Sequence, residues 1–110
     1  MDKISFYTIN EINVMNLPIQ HQDLDQACVF FIEQDQGVKI AEIRYRWKNE
    51  QQIIADHTWV DDALRGKNIA HILLDQLVKF AREKEIKIIP SCSYVDVMFR
   101  RKKEYADVIA

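Results

Sequence analysis

The sequence predicts an α/β domain built on a mixed, mostly antiparallel sheet, with one βαβ unit and a C-terminal helix. Three observations predict it. Apolar and polar residues alternate strictly from Val38 to Trp47, with Ala41, Ile43, Tyr45 and Trp47 on one face and Glu42, Arg44 and Arg46 on the other, the period of a half-buried strand. Between Lys67 and Lys84 the period lengthens to that of an amphipathic helix: Ala70, Leu73, Leu74, Leu77 and Ala81 recur on one side, widened by Ile69, Val78 and Phe80. Ile86-Lys87-Ile88-Ile89 then makes a short buried strand that stops at Pro90.

The remaining elements fall around these three. Residues 1–18 alternate weakly, are interrupted by Asn10, Asn13 and Asn16 and end at Pro18; they read as an N-terminal extension with at most one short strand, leaving 19–110 as the domain. Cys28 to Ile32 is an apolar, β-branched and aromatic run closed by the turn signal Asp35-Gln36-Gly37, so it pairs with the Val38–Trp47 strand as a hairpin. Lys48-Asn49-Glu50 makes the next turn, and Gln51 to Val60 reads as a third strand. After the long helix and the Ile86 strand, Tyr94 to about Lys103 forms a second helix with Tyr94, Val95, Met98 and Phe99 inward. The expected order is β-β-β-α-β-α, with the strands flanking the long helix parallel and joined by a right-handed crossover. Cys28 and the Trp47/Trp59 pair are expected in the core.

Composition narrows the function. At 110 residues and 13.0 kDa, with 48% apolar and 29% charged residues, the chain is expected to form one globular domain rather than a disordered segment. No apolar run approaches the roughly 20 residues of a membrane span, and Met1-Asp2-Lys3 lacks the pattern of a signal peptide. Two cysteines are too few for a disulfide scaffold, so both read as reduced thiols of a cytoplasmic protein. The net charge of −2 is unevenly spread, at −4 over residues 1–60 and +2 over 61–110. A basic half within an acidic chain fits a local anion site better than a nucleic-acid surface. No Cys-x-x-Cys or His-x-x-x-His pair suggests a metal, and neither a Walker loop nor a Gly-x-Ser-x-Gly elbow occurs. A monomer or weak homodimer is expected.

The most informative stretch is Asp61-Asp62-Ala63-Leu64-Arg65-Gly66-Lys67-Asn68-Ile69-Ala70, between a strand and the long helix. The first N–H groups of a helix lack intrahelical partners and carry the positive end of its dipole. Gly66 and Asn68 are the residue types that best tolerate positive φ, and Arg65 and Lys67 add cations. This spacing serves an anion nest, or a plain strand-to-helix turn with a cationic rim.

Arg65-Gly66-Lys67-Asn68-Ile69-Ala70 resembles motif A of the Gcn5-related N-acetyltransferases, Gln/Arg-x-x-Gly-x-Gly/Ala, departing from it at Asn68, where the family usually has glycine. Together with His57-Thr58-Trp59-Val60-Asp61, Pro90-Ser91-Cys92-Ser93-Tyr94 and Glu104-Tyr105-Ala106-Asp107, it looks like the small YjdJ-type acetyltransferase-like subfamily, in order and spacing, over about residues 19–110. The resemblance implies a minimal acyl-CoA N-acyltransferase fold without the N-terminal helices that build the acceptor wall. It implies acetyl-CoA as cosubstrate and an amine of unknown identity as acceptor. The amides of Arg65, Gly66, Lys67, Asn68, Ile69 and Ala70 would hold the pyrophosphate, and the main chain of Thr58, Trp59 and Val60 would line the pantetheine arm.

Chemistry at the thioester needs a base, an acid and a polarised carbonyl. His57, eight residues before Arg65, lies where such proteins place a base; alternatively it packs in the interior. Cys92 follows the strand beside the thioester slot and could take up the acetyl group itself, activated by a nearby His57 or by the following helix; otherwise it packs as a small hydrophobe. Tyr94 and Tyr105 are candidate acids for the leaving thiolate, or amphipathic packing. Arg100-Arg101-Lys102-Lys103 reads as a solvated helix end or a seat for the ribose phosphate, and its Lys102-Lys103 departs from the His-Pro that the subfamily tends to carry before Glu-Tyr. Two functions remain open: acyl transfer to an amine, directly or through Cys92, and non-catalytic binding or sensing of acyl-CoA.

Overall fold

A computed structural model of the chain describes residues 17–24 and 27–110; the short strand considered for the extension would lie largely outside them. The elements are β1 (Gln20–Leu24), β2 (Ala27–Gln34), β3 (Val38–Asn49), β4 (Gln52–Val60), α1 (Ile69–Lys84), β5 (Lys87–Pro90) and α2 (Ser93–Arg101), followed by a 3₁₀ segment, Lys103–Val108. They form one five-stranded sheet in the order β1-β2-β3-β4-β5. Every neighbouring pair is antiparallel except β4 and β5, which are parallel. The mixed sheet with its βαβ unit is the architecture that the patterning predicts.

The core lies between the inner face of the sheet and α1. Leu73, Leu74, Leu77, Val78 and Ala81 of α1 are buried with Phe30, Ile32, Ile43, Tyr45, Ile53, Ala55 and Ile88 of the strands. The alternation of β3 is realised as read: Ala41, Ile43 and Tyr45 are buried while Arg44 and Arg46 are exposed. On the outer face Arg46 pairs with Asp56 at 3.2 Å and Lys39 with Glu42 at 3.0 Å. Cys28 is buried, as expected.

Two elements depart from the sequence reading. β1 is a fourth antiparallel strand that apolar periodicity does not reveal, because its sequence, Gln-His-Gln-Asp-Leu, is polar. Side-chain contacts hold it instead. The His21 ring stacks on Phe30 with centroids 3.9 Å apart, and its Nε2 lies 2.7 Å from Tyr45 Oη. Asp23 Oδ1 accepts from Trp47 Nε1 at 3.0 Å and from Cys28 Sγ at 3.2 Å. The second departure is at the C-terminus. Helix α2 ends at Arg101, and the following 3₁₀ segment turns back to bury Tyr105 and Val108. Arg82 of α1 fastens it by donating to both carboxylate oxygens of Asp107, each at 2.9 Å, and to the carbonyl of Glu104 at 2.7 Å.

Strand β4 carries a correction of face. Arg44 is opposite His57 while Tyr45 is opposite Ala55, so Asp56 is an extra residue in β4. Such a bulge reverses the face of everything beyond it. Thr58 and Val60 therefore join Ile53 and Ala55 on the inner side, and His57 and Trp59 turn outward. Trp59, expected in the core, is 36% exposed.

Helix α1 stops at Glu85, which sits in the left-handed region (φ 57°, ψ 44°) and donates its N–H to the carbonyls of Ala81 and Arg82. That is the C-terminal cap position where glycine carries no Cβ penalty. Glu85→Gly is expected to raise stability by about 0.5–1 kcal/mol, read as a higher urea midpoint at unchanged slope. A lower midpoint would mean that the Glu85 side chain contributes more than its backbone strain costs.

Candidate coenzyme site

Strands β4 and β5 part company at Ala55. They pair from Gln52/Lys87 to Ala55/Pro90, and β4 then continues to Val60 alone on that side. The Ala55 carbonyl accepts from the N–H groups of both Ser91 (3.0 Å) and Cys92 (2.8 Å), which turns the chain away from the sheet and into α2. The N–H of Asp61 donates to Ile40 O at 2.9 Å. By the alternation of an antiparallel ladder, the residues bonded to β3 are then Asp61, Trp59 and His57. The backbone groups of Thr58 and Val60 point the other way, into the gap.

That gap is a cleft of about 500 Å³ lined by Thr58, Trp59, Val60, Leu64, Arg65, Gly66, Asn68, Ile69, Ala70, His71 and Tyr94. One end is the strand-to-helix turn. Asp61 opens it by accepting from the N–H of Ala63 at 2.9 Å. Gly66 (φ 84°) and Asn68 (φ 65°) both adopt the left-handed conformation, as their residue types predict. Asn68 occupies the N-cap of α1 without making a side-chain cap hydrogen bond. The first amides of a 16-residue helix thus open onto the cleft without the usual side-chain acceptor. Arg65 Nε is 3.0 Å from Asp62 Oδ1. Both side chains are largely in solvent, where such a pair is weak, so the guanidinium can turn to an anion.

Tyr94 lines the cleft as well, and Cys92 stands beside it, against Thr58. Cys92 is the N-cap residue of α2, and its thiol donates to Thr58 Oγ1 at 3.3 Å. Burial, then the neighbouring Asp75 carboxylate and Cys92, pushes the Tyr94 phenol up. Tyr94 therefore keeps its proton at neutral pH and can donate it. Tyr105 is buried at 2% exposure, and its hydroxyl donates to Asp75 Oδ1 at 2.6 Å. Burial and Asp75 also push its phenol up.

The structure brings together most of the residues singled out in the sequence. Thr58, Trp59, Val60, Arg65, Gly66, Asn68, Ile69, Ala70 and Tyr94 share one cleft, with Cys92 beside Thr58. Lys67 belongs to the same turn but does not line the cleft. His57 does not join Cys92. The bulge at Asp56 puts its ring on the outer face, 49% exposed, with Nε2 3.5 Å from Glu42 Oε2. Tyr105 stands behind the cleft wall. The lining residues to which the sequence reading gave no role are Leu64 and His71; His71 lies in the first turn of α1, with Asp75 four residues on and on the same helix face.

A family profile described as GCN5-related N-acetyl-transferase matches residues 29–108. Among solved structures, a GCN5-like protein from Staphylococcus aureus is 38% identical, over 86% of this chain and 89% of its own, with a TM-score of 0.70. A ribosomal-protein-alanine N-acetyltransferase from Brucella melitensis biovar Abortus 2308 is 25% identical, over 78% of this chain and 64% of its own, with a TM-score of 0.54. A GNAT family acetyltransferase from Elizabethkingia anophelis with acetyl-CoA bound is 12% identical, over 59% of this chain and 42% of its own, and at a TM-score of 0.51 its likeness is one of fold. No curated protein sequence matches significantly. With more than half its length matched and a close structural relative over nearly all of it, the chain belongs to the GCN5-related N-acetyltransferase family.

Proposed function

We propose that the cleft binds acetyl-CoA and that the protein transfers the acetyl group to an amine. The observation that carries this reading is the continuity of the cleft. The open amides of α1 lie at one end, the free backbone edge of Thr58 and Val60 runs along its side, the Tyr94 phenol lines it, and the Cys92 thiol stands just beyond, against Thr58. The diphosphate meets the turn of Arg65 to Ala70. The pantetheine amides pair with Thr58 and Val60 as a short added strand, and the thioester reaches the fork beside Cys92.

In the direct route the amine nitrogen attacks the thioester carbon and the C–S bond breaks. His57, on the outer side of the fork beside Glu42, takes the amine proton, and Tyr94 gives its proton to the departing thiolate. In the two-step route the Cys92 sulfur attacks first. The acetyl group then resides on Cys92 as a new thioester while coenzyme A leaves as the thiol, and the amine attacks that thioester in turn. The contact of Cys92 with Thr58 at the end of the free strand edge favours the second route. A non-catalytic acyl-CoA binder or sensor is the competing reading, favoured by the lack of any carboxylate among the residues that line the cleft.

Calorimetric titration tests the site. The unmodified protein is expected to bind acetyl-CoA, and the Arg65→Ala/Asn68→Asp double variant to lose about tenfold or more in affinity, because it removes one cation and places a carboxylate in the nest. No binding by the unmodified protein overturns the reading.

Intact mass after incubation with acetyl-CoA tests the covalent route. An acetyl adduct should appear and be absent from Cys92→Ser; an adduct that persists in the variant excludes Cys92 as the nucleophile. An adduct with no release of coenzyme A in excess of enzyme, across a broad panel of amines, would favour the sensor.

A further inference from the structure

The outer face of the sheet carries a second recess, of about 290 Å³, over β2 and β3. Val29, Phe31, Glu33, Lys39, Glu42 and Arg44 are among the residues that line it. Cys28, Phe30 and Ile32 enter the core, so Val29 and Phe31 between them face outward. Val29 is 7% exposed yet stands apart from that core; with Phe31 it makes an apolar floor. The strand register ties this recess to the fork between β4 and β5. Phe31 is opposite Glu42, and Glu42 is opposite Trp59; Val29 is opposite Arg44, and Arg44 is opposite His57. Neighbouring strands lie about 4.8 Å apart, so the recess begins one strand away from His57. Trp59 in turn lines the coenzyme cleft, and only the step from Glu42 to Trp59 separates the two.

The charged groups around the floor are engaged, with one exception. Lys39 Nζ lies 3.0 Å from Glu42 Oε1 and 4.9 Å from the centre of the Phe31 ring. The second oxygen of Glu42 faces His57 Nε2 at 3.5 Å. Glu33 accepts from Gln20 Nε2 at 3.0 Å. Arg44 alone makes no ion pair or side-chain hydrogen bond among the described residues. Its guanidinium is a planar fork of donors that matches a carboxylate. It stands in register between the Val29 floor and His57.

We infer that this recess is the acceptor subsite and that the acceptor amine itself carries a carboxylate and an apolar body, the chemistry of an amino acid. The inference rests on the acetyl-transfer reading above. The carboxylate pairs with Arg44, the apolar body covers Val29 and Phe31, and the amino group reaches His57 at the fork. An α-amino acid meets all three demands from one carbon, because its amine, carboxylate and side chain diverge there. The same arrangement works against acceptors whose charges are all positive, such as polyamines or a lysine in a basic segment. A second ammonium would lie beside the unpaired Arg44, while Glu42 is already held by Lys39. The bonds that form and break are those of the routes above.

The test is amide NMR of the nitrogen-15-labelled protein saturated with coenzyme A, titrated with phenylalanine and with phenethylamine, the same amine without its carboxylate. Phenylalanine should shift the amides of Val29, Phe31, Arg44 and His57 and bind about tenfold more tightly than phenethylamine. Release of coenzyme A from acetyl-CoA should rank the two in the same order by kcat/KM. Arg44→Gln should abolish the preference, and Arg44→Lys, which keeps the charge without the fork, should retain part of it. Equal binding of the two amines, or a preference that survives in Arg44→Gln, overturns the inference. Coenzyme A released to other amines, with no phenylalanine shift at these amides, overturns it too and leaves acetyl transfer standing. Phenylalanine bound at these amides, with no coenzyme A released to any amine, overturns acetyl transfer and the acceptor role together.

Discussion

Everything that makes a site of this small sheet depends on one carbonyl. Ala55 O accepts two N–H groups, those of Ser91 and Cys92, and in doing so ends the parallel ladder between β4 and β5. Pro90 prepares the break from the other side, since it has no N–H to extend the ladder. Had β5 continued beside β4, the backbone of Thr58 and Val60 would be spent on sheet hydrogen bonds and no cleft would exist. Because it stops, the sheet offers a free strand edge over half of β4, and an open edge invites a ligand with amides of its own. The α1 turn lies at one end of that edge because the chain leaves β4 at Val60 to enter it. Cys92 lies at the other because the diverging strand hands on to α2 there. One local hydrogen-bonding choice thus fixes the length, direction and two ends of the site.

The bulge at Asp56 decides which side chains attend it. Without the extra residue, His57 and Trp59 would follow Ile53 and Ala55 onto the inner face, as a plain alternation reads them. The bulge sends both outward and brings Thr58 and Val60 in. The consequence is a division of labour across the sheet. The inner side of the fork receives a hydroxyl beside the Cys92 thiol. The outer side receives the His57 imidazole next to the half-buried Glu42, together with a partly exposed indole. A histidine on the face opposite the coenzyme cleft can meet an acceptor that approaches from that face.

How much of this was legible follows from what kind of interaction holds each part. The hairpin, the long helix and the buried β5 strand are held by apolar burial, and apolar burial writes its period into the sequence. The left-handed turn at Gly66 and Asn68 was legible because positive φ selects residue type. The strand β1 was not, since its polar side chains are satisfied by Tyr45, Trp47 and Phe30 from distant positions. The bulge was not, because a strand of mixed residues reads equally well in either register until its partner is known. His71 was passed over because a histidine among helix-forming residues carries no signal alone. Its ring meets Tyr105, 34 residues away, in a segment that Arg82 fastens through Asp107.

The C-terminal segment therefore does more than close the core. The clamp of Arg82 on Asp107 and Glu104 holds the chain against α1, and this carries Tyr105 to the carboxylate of Asp75. The segment reaches the sheet as well, where Ile109 bridges Ile88 in parallel. The wall of the cleft is thus braced from behind by residues that never line it. The charge asymmetry of the sequence becomes spatial by the same route. The acidic first half, residues 1–60, supplies β1 to β4 and so most of the sheet. The basic second half supplies α1, α2 and the turn whose Arg65 and amides face the cleft. On the proposed reading, an anionic ligand would be drawn to the end of the molecule where the strands have already parted.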